Sequence, residues 1–268
     1  MTDQNRPDGA SLVEGTDEFV GSSALITGGA SGIGRATSIL LAKRGSLVTI
    51  ADRDVLSAER TVAEINASGG SARFIRCDVA DEDEVSFAVS TAMEFGGRLD
   101  YAANCAGLRG PGMPVPMAEY DSELFDRLVA VNLRGSFLCL KYELAAMIPN
   151  GRGSIVNISS GAGVFGVPGT AGYSSSKHGI IGLTKTAALD YAGVGIRVNV
   201  ICPGLIDTPM NQTGRTEEHM MAMINSIPLG RKGEASEVAD AIVWLCSSHS
   251  SFVTGSVIGI DGGRSALR

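Results

Sequence analysis

Short runs rich in β-branched residues alternate along this chain with longer segments of helical period, and that alternation leaves few architectures open. The pattern predicts strands near 23–27, 47–51, 72–76, 99–104, 154–159, 196–202 and 256–260. Helices are predicted near 33–45, 55–68, 82–96, 121–148, 172–192 and 235–248. A strand followed by a crossover helix and another strand builds a parallel sheet covered on both faces. The reading is therefore an α/β fold: one doubly wound domain over residues 20–268, with a seven-stranded parallel sheet and helices on both faces, behind a polar tail at 1–19. Such sheets bind ligands beyond the carboxyl ends of their strands. The chain puts Gly28, Asp52, Asp78, Asn104, Ser159, Ser160, Pro203 and Gly204 there.

Composition narrows the partners. Hydrophobic residues make up 44% of the 268, ample for a large core. The net charge is −7 and neither Lys nor Arg forms a run, which argues against nucleic acid or an anionic membrane as partner. No stretch approaches the roughly 18 uninterrupted apolar residues of a spanning helix, and residues 1–18 have no signal-like apolar segment. The expected location is cytoplasmic. Cys77, Cys105, Cys139, Cys202 and Cys246 are odd in number, widely spaced and mostly set in apolar segments, so buried free thiols are expected, with no disulfide and no metal site. Histidines are few and scattered; His178 reads as a partly exposed helix residue.

The first predicted strand ends in Thr27-Gly28-Gly29-Ala30-Ser31-Gly32-Ile33-Gly34. Glycines at 28, 32 and 34 let the backbone turn sharply and approach a pyrophosphate, while the N–H groups and positive dipole of the next helix face that anion. A plain strand-to-helix turn would use the same residues, and the Gly-x3-Gly-x-Gly spacing matches the general dinucleotide fingerprint only loosely. Asp52 adds to the nucleotide reading. It closes the second strand 18 residues after Gly34, where an acid can accept both ribose hydroxyls and repel a 2′-phosphate. NAD is favoured over NADP on that ground; a solvated strand-end acid is the alternative for Asp52.

Tyr173 and Lys177 are four residues apart and share one helix face. An ammonium near a phenol favours the phenolate and draws its pKa from about 10 toward a range useful for proton transfer. A phenol tuned in this way exchanges a proton with a carbinol oxygen, and Ser160, at the preceding strand end, is placed to hydrogen-bond the same oxygen. The combination suits hydride transfer. A helix surface pair is the alternative reading of Tyr173 and Lys177 alone.

Taken together, these motifs resemble the short-chain dehydrogenase/reductase family from about residue 20 to 263. The resemblance rests on the glycine turn, Asp78-Val79, Asn104-Cys105-Ala106-Gly107, Asn132, Asn157-Ile158-Ser159-Ser160, Tyr173 to Lys177, Pro203-Gly204 and Asp261-Gly262-Gly263. It implies a Rossmann-type domain with Tyr173 as general acid/base, Ser160 orienting substrate, and Lys177 binding the nicotinamide ribose while lowering the tyrosine pKa. Asn132 is implied to hold a water linking Lys177 to solvent. It further implies cofactor contacts from Gly28, Ser31, Gly32, Ile33, Gly34, Asp52, Arg53, Asp78, Val79, Asn104, Ala106 and Gly107, and from Pro203, Gly204, Ile206 and Thr208 at the nicotinamide. Cys105 stands where the family often has asparagine.

By the same resemblance Ala162, Val164 and Phe165 floor the substrate pocket, Leu108 to Val115 flank it, and 207–228, with Met210, covers it as a lid. NADP-preferring members carry a basic residue in the glycine turn or after the second strand; here Ala30 and Ser31 occupy the turn, although Arg53 follows Asp52. The implied activity is NAD(H)-dependent interconversion of a secondary alcohol and a ketone, the substrate small, uncharged and largely apolar. A 3-oxoacyl thioester reductase using NADPH is the alternative. Arg109 and Arg215 are the basic residues an acidic substrate would have to use. The family's usual assembly implies a homotetramer.

Overall fold

The computed structural model describes residues 18–112, 114–212 and 216–267. Seven parallel strands form the sheet: β1 (Ser23–Thr27), β2 (Leu47–Asp52), β3 (Ser71–Arg76), β4 (Tyr101–Asn104), β5 (Gly153–Ile158), β6 (Ile196–Pro203) and, last in the chain, β9 (Val257–Ile260). Their order is β3-β2-β1-β4-β5-β6-β9. The connecting helices are α1 (Gly32–Lys43), α2 (Val55–Ala67), α3 (Glu82–Gly96), α4 (Ser122–Leu128), α5 (Gly135–Met147), α6 (Ala171–Tyr191) and α9 (Ala235–Cys246). The doubly wound Rossmann-type sheet expected from the alternation is the fold observed.

Strand side chains alternate between two cores. In β1, Ala24 and Ile26 join a core with Leu41 of α1, Ile65 of α2 and Ile242 of α9, whereas Leu25 joins one with Val89 of α3, Leu138 of α5 and Ala187 of α6. Both faces of the sheet are thus dry, which is why its strands read as apolar runs rather than as alternating polar and apolar positions. The chain winds outward from β1 to β3, then crosses to β4 on the other side of β1. That reversal opens a crevice at the carboxyl ends of β1 and β4.

Two parts differ from the sequence expectation. The helix predicted over 121–148 is α4 and α5 joined by a π-helical turn at Val129–Arg134. The extra residue of the wider turn shifts the helical phase, but α5 is buried on nearly every side, so its apolar positions show no stripe whose shift could mark the turn. A strand not predicted from the sequence, β7 (Ile206–Asp207), opens the segment expected as a lid and pairs in parallel with β8 (Gly233–Glu234). Two-residue strands are too short to carry a period. Between them lie α7 (Pro209–Gln212) and α8 (Glu217–Asn225).

Candidate active site

The turn between β1 and α1 is built by contact. Gly28 has φ +65°, and a Cβ on it would sit 2.8 Å from the backbone of Ala106 at the end of β4. Gly34 lies over the same turn: its Cβ would fall 2.1 Å from the Gly28 carbonyl oxygen. Only glycine fits either place, so the turn lies flat against the crevice. Ser31 caps α1 without a side-chain hydrogen bond, leaving the first-turn amides at 32–34 and the positive end of the helix to the cavity that these residues line. A cradle closed to side chains and open at a helix N-terminus fits a pyrophosphate. Asp52 lines the same cavity and holds the turn, its Oδ2 accepting from Ala30 N and its Oδ1 from Asp54 N, each at 3.0 Å.

At the other end of the cavity stand Ser160, Tyr173 and Lys177. Lys177 is buried, and its Nζ donates to the Ile158 carbonyl at 2.9 Å and lies 5.8 Å from the centre of the Tyr173 ring. Burial lowers its pKa to about 8. The ammonium therefore persists at neutral pH beside the phenol. Ser159 Oγ donates to the Lys177 carbonyl at 2.8 Å in a space so tight that a Cβ on Gly163 would come within 2.2 Å of it. Ser159 thus anchors α6 to β5. Ser160, whose Oγ accepts from Ala162 N at 3.2 Å, is the serine presented beside Tyr173.

One continuous cavity of about 330 Å³ joins the two ends. It is lined by the predicted cofactor residues Gly28, Ser31, Gly32, Ile33, Gly34, Asp52, Arg53, Asp78, Val79, Ala106, Gly107, Pro203, Gly204, Ile206 and Thr208, and by Ser160, Tyr173, Lys177 and Met210. Asn104 is not among its walls. Along β4, Ala102 faces the α5 core and Ala103 the α1 core, so Asn104 turns toward α5, donating from Nδ2 to Glu143 Oε2 and Asn157 Oδ1 at 2.9 and 3.0 Å. Asn132 stands one layer behind the wall: its side chain donates to Leu108 O and Ser176 Oγ, and accepts from Leu108 N.

Ala162, Val164 and Phe165 also stay outside the walls. The tight turn at Gly161–Gly163 buries Ala162, swings Val164 out to solvent and lays Phe165 over Gly161. Arg109 does not reach the cavity, and Arg215 lies outside the described residues, as do Met113 and the tail at 1–17. Asp54, Cys77 and Val131 line the cavity without having been foreseen, and Ile158 of the serine motif and Pro209 and Asn211 of the expected lid segment line it as well. Val131 arrives through the π-helical turn, and Asp54 carries only the mark of a helix cap, its carboxylate accepting from Ser57 N. The Cys77 and Cys105 thiols also border the space, but burial raises each to about 12 and keeps them protonated.

A family profile described as enoyl-(acyl carrier protein) reductase matches residues 28–265. The 2,5-dichloro-2,5-cyclohexadiene-1,4-diol dehydrogenase of Sphingobium indicum is 45% identical over 93% of this chain and 99% of its own. A 3-oxoacyl-[acyl-carrier-protein] reductase of Thermotoga maritima is 41% identical over 91% and 97%, and the cyclohexanol dehydrogenase of an Acinetobacter species 40% over 92% and 96%. Among solved structures, levodione reductase superposes with a TM-score of 0.89 at 36% identity, covering 93% of this chain and all of that one. NAD+-bound xylitol dehydrogenase gives 0.86 at 34%, over 92% of this chain and 100% of its own. An actinorhodin polyketide ketoreductase with NADPH gives 0.85 at 35%, over 91% and 97%. The chain belongs to the short-chain dehydrogenase/reductase family. It is an oxidoreductase acting on CH–OH groups with a nicotinamide cofactor, and no helix among its described residues is long and apolar enough to cross a membrane.

Proposed function

We propose that this enzyme is an NAD(H)-dependent dehydrogenase of an uncharged, largely apolar cyclic secondary alcohol, with Tyr173 as its general acid/base. The observation that carries the reading is one cavity with Asp52 at one end and Ser160, Tyr173 and Lys177 at the other. The nicotinamide, when bound, accepts or returns the hydride. In the oxidative direction Tyr173 takes the carbinol proton as the Lys177 ammonium favours its phenolate, and Ser160 hydrogen-bonds the oxygen on which charge develops. A Cβ at Gly107 would lie 3.2 Å from Asn132 Oδ1 and 3.4 Å from Lys177 Nζ. Glycine at 107 thus leaves space next to both polar atoms, and a water held there would link them and resupply the lysine from solvent, which would give Asn132 its part in the proton path.

Asp52 supports NAD through charge: a carboxylate at the adenosine end repels a 2′-phosphate, and neither Ala30 nor Ser31 offers a compensating cation. The cyclic alcohol follows from the relatives that act on six-membered carbocycles and from a substrate end where Met210 and Leu108 lie and neither Arg109 nor Lys232 does. Initial rates with cyclohexanol and NAD, cyclohexanol and NADP, and acetoacetyl thioester and NADPH test the reading. We expect kcat/KM with NAD to exceed that with NADP by at least about tenfold, with Asp52→Ala narrowing the gap. A higher kcat/KM for the thioester with NADPH would establish the reductase instead. The assembly proposed is a homotetramer.

A further inference from the structure

A carboxylic acid without a charge partner lies one layer beneath the cavity. Glu143, on the inner face of α5, is fully buried. Its Oε2 accepts from Asn104 Nδ2 at 2.9 Å, while Oε1 has no hydrogen-bond partner among the described residues. The polar cluster continues sideways: Asn104 donates to Asn157 Oδ1 at 3.0 Å, Asn157 to Thr184 Oγ1 at 2.9 Å, and Thr184 to Ile180 O at 2.8 Å. Nothing in the proton path above uses Glu143.

The cluster touches the cofactor cavity through the backbone. Asn104 ends β4, and Cys105, Ala106 and Gly107, which follow it, are cavity wall. Thr27 ties the two strand ends together by long hydrogen bonds, donating to Asn104 Oδ1 at 3.5 Å and accepting from Ala106 N at 3.4 Å. Ala106 and Gly28 meet with no room for a Cβ between them. A shift of Asn104 therefore moves both the β4 loop and the glycine turn.

We propose that Glu143 is a positioning residue for the dinucleotide, acting through Asn104 on the Cys105–Gly107 segment and thence on the glycine turn at Gly28. The inference rests on the reading of the cavity as the cofactor site. Glu143 works as a neutral acid: burial raises its pKa to about 7, with the Asn104 hydrogen bond opposing. The titratable group beside it on its own helix is Cys139, a buried thiol held well above its usual range, with Cys77 next beyond; α3 turns Val85, Ala88, Val89 and Ala92 to this layer, and α6 turns Thr184, Ala187 and Ala188. Among the described residues no cation faces the carboxyl. Once ionised it needs more donors than Asn104 supplies, and Asn104 must move or water must enter. Cofactor affinity therefore falls as pH rises through 7.

The test is a titration of the whole protein with the β-methyl ester of ADP, which lacks both the nicotinamide and the ribose that Lys177 would hold and has no phosphate that titrates in this range, at about pH 6 and about pH 8.5. The native Kd is expected to rise about three- to tenfold across that interval, and that of Glu143→Gln by less than about twofold. Asn104→Ser, which keeps the acid and cuts the link, should also lose the slope. A purely structural role for Glu143 would shift Tm in the variants and leave the slope in place. Equal slopes in the native protein and Glu143→Gln overturn the proposal; if that variant does not fold, a native slope in Asn104→Ser does so. If the native protein binds neither NADH nor NADPH at about pH 6, the cavity reading fails first and the proposal with it.

Discussion

Lys177 is a charge kept inside the protein, and the acid/base chemistry proposed beside it gives that burial a purpose. With Tyr173 as the acid/base, Tyr173→Phe should lower kcat by a factor on the order of 10² or more and leave NADH binding within a few fold. Turnover near the native rate would remove Tyr173 from the reaction. The cost of Lys177 shows in stability. A lysine depressed from 10.5 to about 8 binds fewer protons folded than unfolded between those values, so the native state gains stability as pH rises across that window and loses it as pH falls through 8. In the apoprotein Lys177→Met should be more stable than native at pH 7 by up to about 3 kcal/mol, the gap closing by about pH 10. Urea unfolding at three pH values measures it; a gap that widens with pH contradicts the sign. Glu143 runs the other way: raised from 4.5 to about 7, it contributes stability below 4.5 that is lost as pH rises through 7. Of these residues Tyr173, Lys177 and Asp52 are legible in the sequence because helix spacing and a strand end fix them locally. Glu143 and the inward turn of Asn104 are not, since which face of β4 looks at α5 depends on the whole sheet.

The segment proposed as a lid is fastened at its base by an element of two residues a side. Ile206 and Asp207 pair with Gly233 and Glu234, Lys232 Nζ reaches Asp207 Oδ1 at 3.1 Å, and Arg231 forks onto Glu237, whose carboxylate also caps α9 through Glu234 N. The Lys232 ammonium holds the Asp207 carboxyl below its usual range. Thr208, Pro209, Met210 and Asn211 follow at once as cavity wall. An exposed ion pair stabilises by no more than about 1 kcal/mol, so its loss should barely move Tm. If 207–228 covers substrate as proposed, its place at the base of that segment gives it a larger effect on substrate. Lys232→Ala is expected to raise the alcohol KM about three- to tenfold with the Kd for NADH little changed, measured by steady-state kinetics and fluorescence titration. A change in NADH affinity with KM untouched would assign the pair to the cofactor instead. The resemblance implied a lid here, but the clip was illegible, because pairing between residues 206 and 233 leaves no period in either segment.

Across the whole molecule the seven strands were readable because a sheet buried on both faces demands continuous apolar runs, and β2 and β5 end where Asp52 and Ser160 reach the crevice. The outer surface carries a second message. On one side Trp244 of α9, Phe252 in the loop after it and Val257 of the edge strand β9 are exposed, with Phe252 wholly so. On another, Phe125 of α4, Phe137 of α5 and Leu189 of α6 are exposed, Leu189 at 83%. Two separate apolar faces, one of them beside an unpaired sheet edge, favour two self-complementary interfaces and hence a closed tetramer. Light scattering at micromolar concentration is expected to give four times the 27.7 kDa of the chain. Phe252→Asp should break one interface and Leu189→Asp the other, each halving the mass while leaving dimers with native helical content. A native monomer, or a mass unchanged in both variants, would show that these faces serve no assembly of this chain.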